Sequence, residues 1–188
     1  MNYYYFIDLQ INNNFSYLEY LFIFVTSFCS NFFSAIAGGG AGLIQLPSLI
    51  LFGLPYFKAL ASHKLATVAL GLGGTCRNYK VIKKDLFIVL ALLIFGIPGV
   101  LIGTVLVNFL SEDYLYFLLS IFSIFIGGYS YIRPDFGLKK IKKNITVRRK
   151  FIFVIFVFII GILNGSISSG TGLLITILLV KTFGMDFL

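Results

Sequence analysis

Between Glu19 and Arg77 the only side chains that carry charge near neutral pH are Lys58, His63 and Lys64, and His63 is the only histidine of the chain. Lys64 lies within an apolar run. A lysine near the centre of a membrane helix costs about 2.5 to 3.5 kcal/mol on insertion scales, so a functional role is the default reading for one found there. His63 and Lys64 are adjacent, so on a helix they point about 100° apart and cannot share one face. Upstream, Gly38, Gly39, Gly40 and Gly42 crowd into five positions. Each glycine costs roughly 1 kcal/mol in a helix interior, so the helix breaks there. A helix restarting near Gly42 offers unpaired amide hydrogens and the positive end of its dipole, which together attract an anion.

The surroundings say where this chemistry sits. Of 188 residues 59% are hydrophobic and 12% charged, against about 25% charged in soluble domains. The chain reads as an all-α, polytopic membrane helix bundle with glycine-broken helices. Irregular backbone at membrane depth survives only where protein or a wet cavity covers it. Twelve of the fifteen Lys and Arg fall between apolar runs, at Arg77 to Lys84 and at Arg133 to Lys150. That is the positive-inside pattern; it places both stretches in the cytoplasm and argues against a nucleic-acid partner for the net charge of +8. The lipid bilayer is the expected surrounding. Cys29 and Cys76 are too few for a disulfide framework or a metal site, and the N-terminus has no basic region of the kind that opens a signal peptide.

Four segments follow in order: a polar and aromatic tail at 1–19, a first membrane repeat at 20–132, a basic cytoplasmic loop at 133–150, and the start of a second repeat at 151–188. The uncharged run from Tyr20 to Phe57 would be roughly 57 Å long as one helix, against a hydrocarbon core of about 30 Å, so it must fold back or break. Before Pro55 the chain crosses either once or as two short crossings; the absence of Lys and Arg from the tail favours two. The spans Ala59–Cys76, Leu86–Leu110 and Tyr114–Ile132 follow, with the acidic link Ser111–Asp113 outside.

GAGLIQLPSLILFG at Gly40 to Gly53 and GTGLLITILLVKTFG at Gly170 to Gly184 share a small-residue turn, an apolar half-helix and a closing glycine. Ser166, Ser168 and Ser169 precede the second break. Paired, glycine-interrupted segments in corresponding positions point to a transporter's binding site near the membrane midplane. The second repeat stops short of counterparts for the later spans, so the chain is expected to be truncated.

At these residues the chain resembles the sulfite exporter TauE/SafE family. The resembling stretch is Ala37 to Lys80, AGGGAGLIQLPSLILFGLPYFKALASHKLATVALGLGGTCRNYK. It combines the glycine cluster, the Gly-Leu-Pro turn, the Ala-x-Ala-Ser-His-Lys helix and a terminal Arg. The resemblance implies transport of small sulfur oxyanions or organosulfonates across a bacterial cytoplasmic membrane.

The candidate substrate-binding residues are Gly39, Gly40, Gly42, Ser62, His63, Lys64, Ser169, Gly170 and Gly172, with a small anion as partner and no cofactor, metal or catalytic group expected. Two other classes stay open. One is a non-transporting membrane subunit or scaffold, which the short length favours; a homo-oligomer is another way for a short chain to complete its site. The other is a membrane-embedded enzyme, disfavoured because no apolar segment holds a carboxylate. Close helix packing competes with anion binding for every glycine pair at small-xxx-small spacing, and is the preferred reading for Gly99 and Gly103 and for Gly161 and Gly165.

Overall fold

Ser16 starts the first helix with a reciprocal cap: its Oγ accepts from the Glu19 amide, and the Glu19 carboxylate accepts from the Ser16 amide at 2.7 Å. Two donors of the helix start are thereby satisfied. The structure is a computed structural model describing residues 16–82, 85–132 and 145–185. The described residues form seven helices and no strand: α1 Tyr17–Ala37, α2 Ala41–Leu51, α3 Tyr56–Ile82, α4 Leu86–Phe109, α5 Glu112–Ile132, α6 Val147–Ser166 and α7 Thr171–Phe183. The Ser16 cap sets the first helix within the stretch expected as tail. α4 contains a π-helical turn at Leu92–Gly96 and closes with a 3-10 turn at Val107–Phe109. α3 kinks at Asn78, where φ is −101° and ψ 15°.

Three of these helices, α1, α4 and α5, are long and apolar enough to cross a membrane. Phe24, Phe28 and Phe32 form an exposed ladder along α1, with successive ring centroids 6.4 and 6.2 Å apart, an apolar face suited to lipid. The shorter α2 and α7 have 11 and 13 residues. At about 1.5 Å per residue neither reaches across a core of about 30 Å.

Each short helix folds back on the helix before it. Phe22, near the start of α1, stacks on Phe52 just beyond the end of α2 at 6.4 Å, and Asn31 bonds Gln45 across the same pair at 3.0 Å. Phe153 of α6 meets Phe183 of α7 edge-on at 4.9 Å. Two antiparallel hairpins result, each with glycine at its tip and an aromatic pair at its mouth.

α4 fixes how the hairpins are arranged. It starts at the mouth of the second one, where Phe87 contacts Phe153 and Phe183. Its last turn places Val107 in the core cluster that holds Leu46, Leu49 and Tyr56 beside the first. About 30 Å of helix separates Phe87 from Val107, so the hairpins enter from opposite sides and meet tip to tip. α4 and α6 run parallel through facing Gly-xxx-Gly pairs: a Cβ on Gly99 would lie 3.1 Å from Gly161 Cα, and one on Gly103 would overlap the Ile162 carbonyl oxygen. Close backbone packing of this kind is what small residues provide in membranes.

Candidate functional site

Both hairpin tips turn through left-handed backbone. Gly38, Gly39 and Gly40 have φ of 75°, 140° and 95°, and Gly170 has φ of 67°. A side chain is strained in this region, which is why glycine recurs there. Ser168 adopts φ of 61° without being glycine. It is held there by its own Oγ, which donates to Asn164 Oδ1 at 3.2 Å, and by Thr171 Oγ1, which donates to the Ser168 carbonyl at 3.0 Å.

The tips touch backbone to backbone. A Cβ on Gly39 would stand 2.8 Å from the Gly172 carbonyl carbon, and one on Gly42 would stand 3.0 Å from Ser169 Cα. Ser169 Oγ donates to the Gly42 carbonyl at 3.2 Å, and Thr176 Oγ1 donates to the Gly38 carbonyl at 2.8 Å. The starts of α2 and α7 therefore lie side by side. The first amides of each have no intrahelical acceptor.

Beside this junction lies a cavity of about 560 Å³, walled by both tips, α3, α4 and α6. Gly39, Gly40, Gly42, His63, Gly170 and Gly172 line it. Ser169 sits behind the lining, fully buried, with Ser123 Oγ 3.1 Å from its hydroxyl. Ser62 is exposed and away from the cavity. Lys64 reaches past the wall to donate from Nζ to the Asn164 carbonyl at 2.7 Å. That carbonyl belongs to the last turn of α6, whose dipole favours a cation there. Tyr56, buried on α3, donates to another carbonyl of that turn, at Ser166, over 2.9 Å.

Four other polar residues belong to the lining: Thr67 and Asn164, which the sequence marks as polar groups near the candidate site, and Ser34 and Thr171, which sequence reasoning missed. Asn164 is central, since its Oδ1 accepts from Ser168 and lies 2.9 Å from Thr171 Oγ1, whose one hydrogen it shares with the Ser168 carbonyl. Its signal was a primary amide inside an uncharged run. Thr67 lies one turn beyond His63. The wall opposite the tips is apolar and includes Leu92, Gly96 and Val100 of α4, so the π-helical turn shapes it.

His63 is 2% exposed, and a Cβ on Gly42 would lie 2.9 Å from its Nε2. Its Nδ1 is 2.8 Å from Gln45 Oε1. Gln45, also 2% exposed, accepts in addition from Asn31 Nδ2, and Asn31 donates at 2.8 Å to the Ser27 carbonyl. Among the described residues no group of three or more His, Cys, Asp or Glu stands together.

Residues 23–188 match the family described as Sulfite exporter TauE/SafE. The chain belongs to that family. It is 29% identical over 153 residues to a probable membrane transporter protein, ORF9, of a Sinorhizobium species, and 27% identical over 171 residues to a probable membrane transporter protein of Haemophilus influenzae. These alignments cover 80% and 87% of this TauE/SafE chain but 57% and 63% of those relatives, so the chain spans about three-fifths of their length. A third relative, the probable membrane transporter protein YfcA of Escherichia coli, is 30% identical over 118 residues. No solved structure matches the chain. The family and the three spanning helices make this TauE/SafE member a multi-pass membrane protein of a transporter family.

Proposed function

We propose that the chain takes part in moving small sulfur oxyanions or organosulfonates across a bacterial cytoplasmic membrane, and that the anion binds in the cavity between the hairpin tips. The observation that carries the reading is the junction itself. Two helix starts that enter from opposite sides meet beside one cavity, with Gly39 against Gly172 and Gly42 against Ser169. Each positive dipole end attracts an anion, and discontinuous helices at a transporter's midplane are used in this way. Sulfur comes from the family's description.

In this reading Gly39, Gly40, Gly42, Gly170 and Gly172 let backbone amides approach the anion. Lys64 acts one step away, by fixing the last turn of α6 and with it Asn164. Rocking one hairpin against the other would expose the cavity to either side in turn. The basic segments lie in the cytoplasm.

The test is uptake of radiolabelled sulfite into proteoliposomes containing the full chain. Saturable uptake, competed by methanesulfonate, supports transport. Saturable binding without uptake assigns the chain to a binding or scaffold role, and neither binding nor uptake overturns the anion reading.

A further inference from the structure

Resting on the reading of the cavity as an anion site, we infer that His63 presents a hydrogen-bond acceptor to the ligand, and that the site selects small monoanions carrying their own O–H or N–H donor. The ligand class is thus a hydrogen-bearing oxyanion such as hydrogensulfite, or a sulfonate with a hydroxyl or amide N–H group.

The Ser27 carbonyl fixes the direction of a chain of hydrogen bonds that ends at His63. That carbonyl can only accept, so the Asn31 atom 2.8 Å away is Nδ2. The same nitrogen lies 3.0 Å from Gln45, so the Gln45 atom facing it is Oε1. Gln45 Oε1 lies 2.8 Å from His63 Nδ1, so Nδ1 carries the ring hydrogen. Reversing either amide would set two acceptors or two donors against each other. The price of this orientation is Asn31 Oδ1, which is buried without a partner. In the neutral ring the remaining nitrogen, Nε2, is then an acceptor.

Nε2 has no hydrogen-bond partner among the described residues and stands beside Gly42, where both belong to the cavity lining. A ligand held by the amides of the α2 and α7 starts thus meets donors on one side and the Nε2 lone pair on the other. An anion with no hydrogen of its own leaves that lone pair unmatched. A buried acceptor left unpaired carries a desolvation penalty, and sites built around a ligand hydroxyl reject analogues lacking it.

The experiment compares 2-hydroxyethanesulfonate with propane-1-sulfonate, which share a charge and nearly a shape but differ in the hydroxyl. Binding is measured to the full chain in lipid nanodiscs. We expect the hydroxylated anion to bind about five- to tenfold more tightly, the value of one matched hydrogen bond. An apolar cavity without the acceptor would favour the methyl group, so the sign of the preference is itself informative. In His63→Phe the preference should vanish or reverse.

Because His63 is the only histidine, ¹⁵N-histidine NMR of the unaltered chain reads the tautomer without a substitution. We expect a protonated Nδ1 and a bare Nε2 whose signal shifts with the hydroxylated anion and not with propane-1-sulfonate. A hydrogen on Nε2 in the free chain, or equal binding of the two sulfonates, overturns the inference while leaving the anion site standing. Failure of both sulfonates and of sulfite to bind overturns the two together.

Discussion

Replacing Gly39 with alanine tests whether the hairpin tips meet as described. The residue has φ of 140°, outside the range open to a side chain, and a Cβ there would lie 2.8 Å from the Gly172 carbonyl carbon and 3.0 Å from the Leu173 nitrogen. Both obstacles are backbone atoms, which cannot rotate aside. The strained torsion costs about 1 to 2 kcal/mol and overpacking a further 1 to 3 kcal/mol, so Gly39→Ala should destabilise by about 2 to 5 kcal/mol. Gly73 is the matched control: it lies within α3, and a Cβ there meets nothing within 4 Å. Gly73→Ala should therefore gain about 0.5 to 1 kcal/mol from helix propensity. Reversible unfolding in mixed detergent micelles, followed by far-ultraviolet circular dichroism, measures both. If the two variants agree within about 1 kcal/mol, the tips do not pack as described.

Three further outcomes follow from named contacts. In Gly103→Val the new side chain would collide with the Ile162 carbonyl on the parallel helix, so the same unfolding assay should show a loss of about 2 kcal/mol or more; an unchanged midpoint would refute the α4–α6 interface. Tyr56→Phe removes the bond to the Ser166 carbonyl, and should cost about 0.5 to 1.5 kcal/mol, read as a lowered melting temperature. Lys64→Met leaves the Asn164 carbonyl without its cation; anion affinity should fall about tenfold and recover in part in Lys64→Arg, and equal affinity in all three chains would remove Lys64 from the account.

Much of this was legible in the residues because membranes restrict what a chain can do. The long uncharged runs required membrane helices, the glycine clusters required breaks, and the Ala37 to Lys80 stretch carried the family. The spacing of Gly99 with Gly103 and of Gly161 with Gly165 likewise announced close helix packing. Direction was legible only from charge, since the absence of Lys and Arg from the tail favoured two short crossings before Pro55. Glycine marks where a helix stops, but only contacts far apart in sequence, such as Phe22 with Phe52 and Phe153 with Phe183, show that the chain returns on itself. The neutral polar partners Asn31 and Gln45 were equally hidden, since neither gives a signal that distinguishes a network from isolated packing. Ser62 and Lys64 show the limit of adjacency: both flank His63, yet one faces outward and the other reaches the end of α6.

The claim at the centre is that the anion lies between the hairpin tips, beside His63. A carbon–nitrogen dipolar coupling between ¹³C-labelled 2-hydroxyethanesulfonate and the ¹⁵N-labelled ring of the single histidine tests this in membranes by solid-state NMR. A coupling to the ring that is lost in Gly42→Leu is the predicted result. Saturable binding of the anion with no coupling to the histidine would place the site elsewhere and contradict the account.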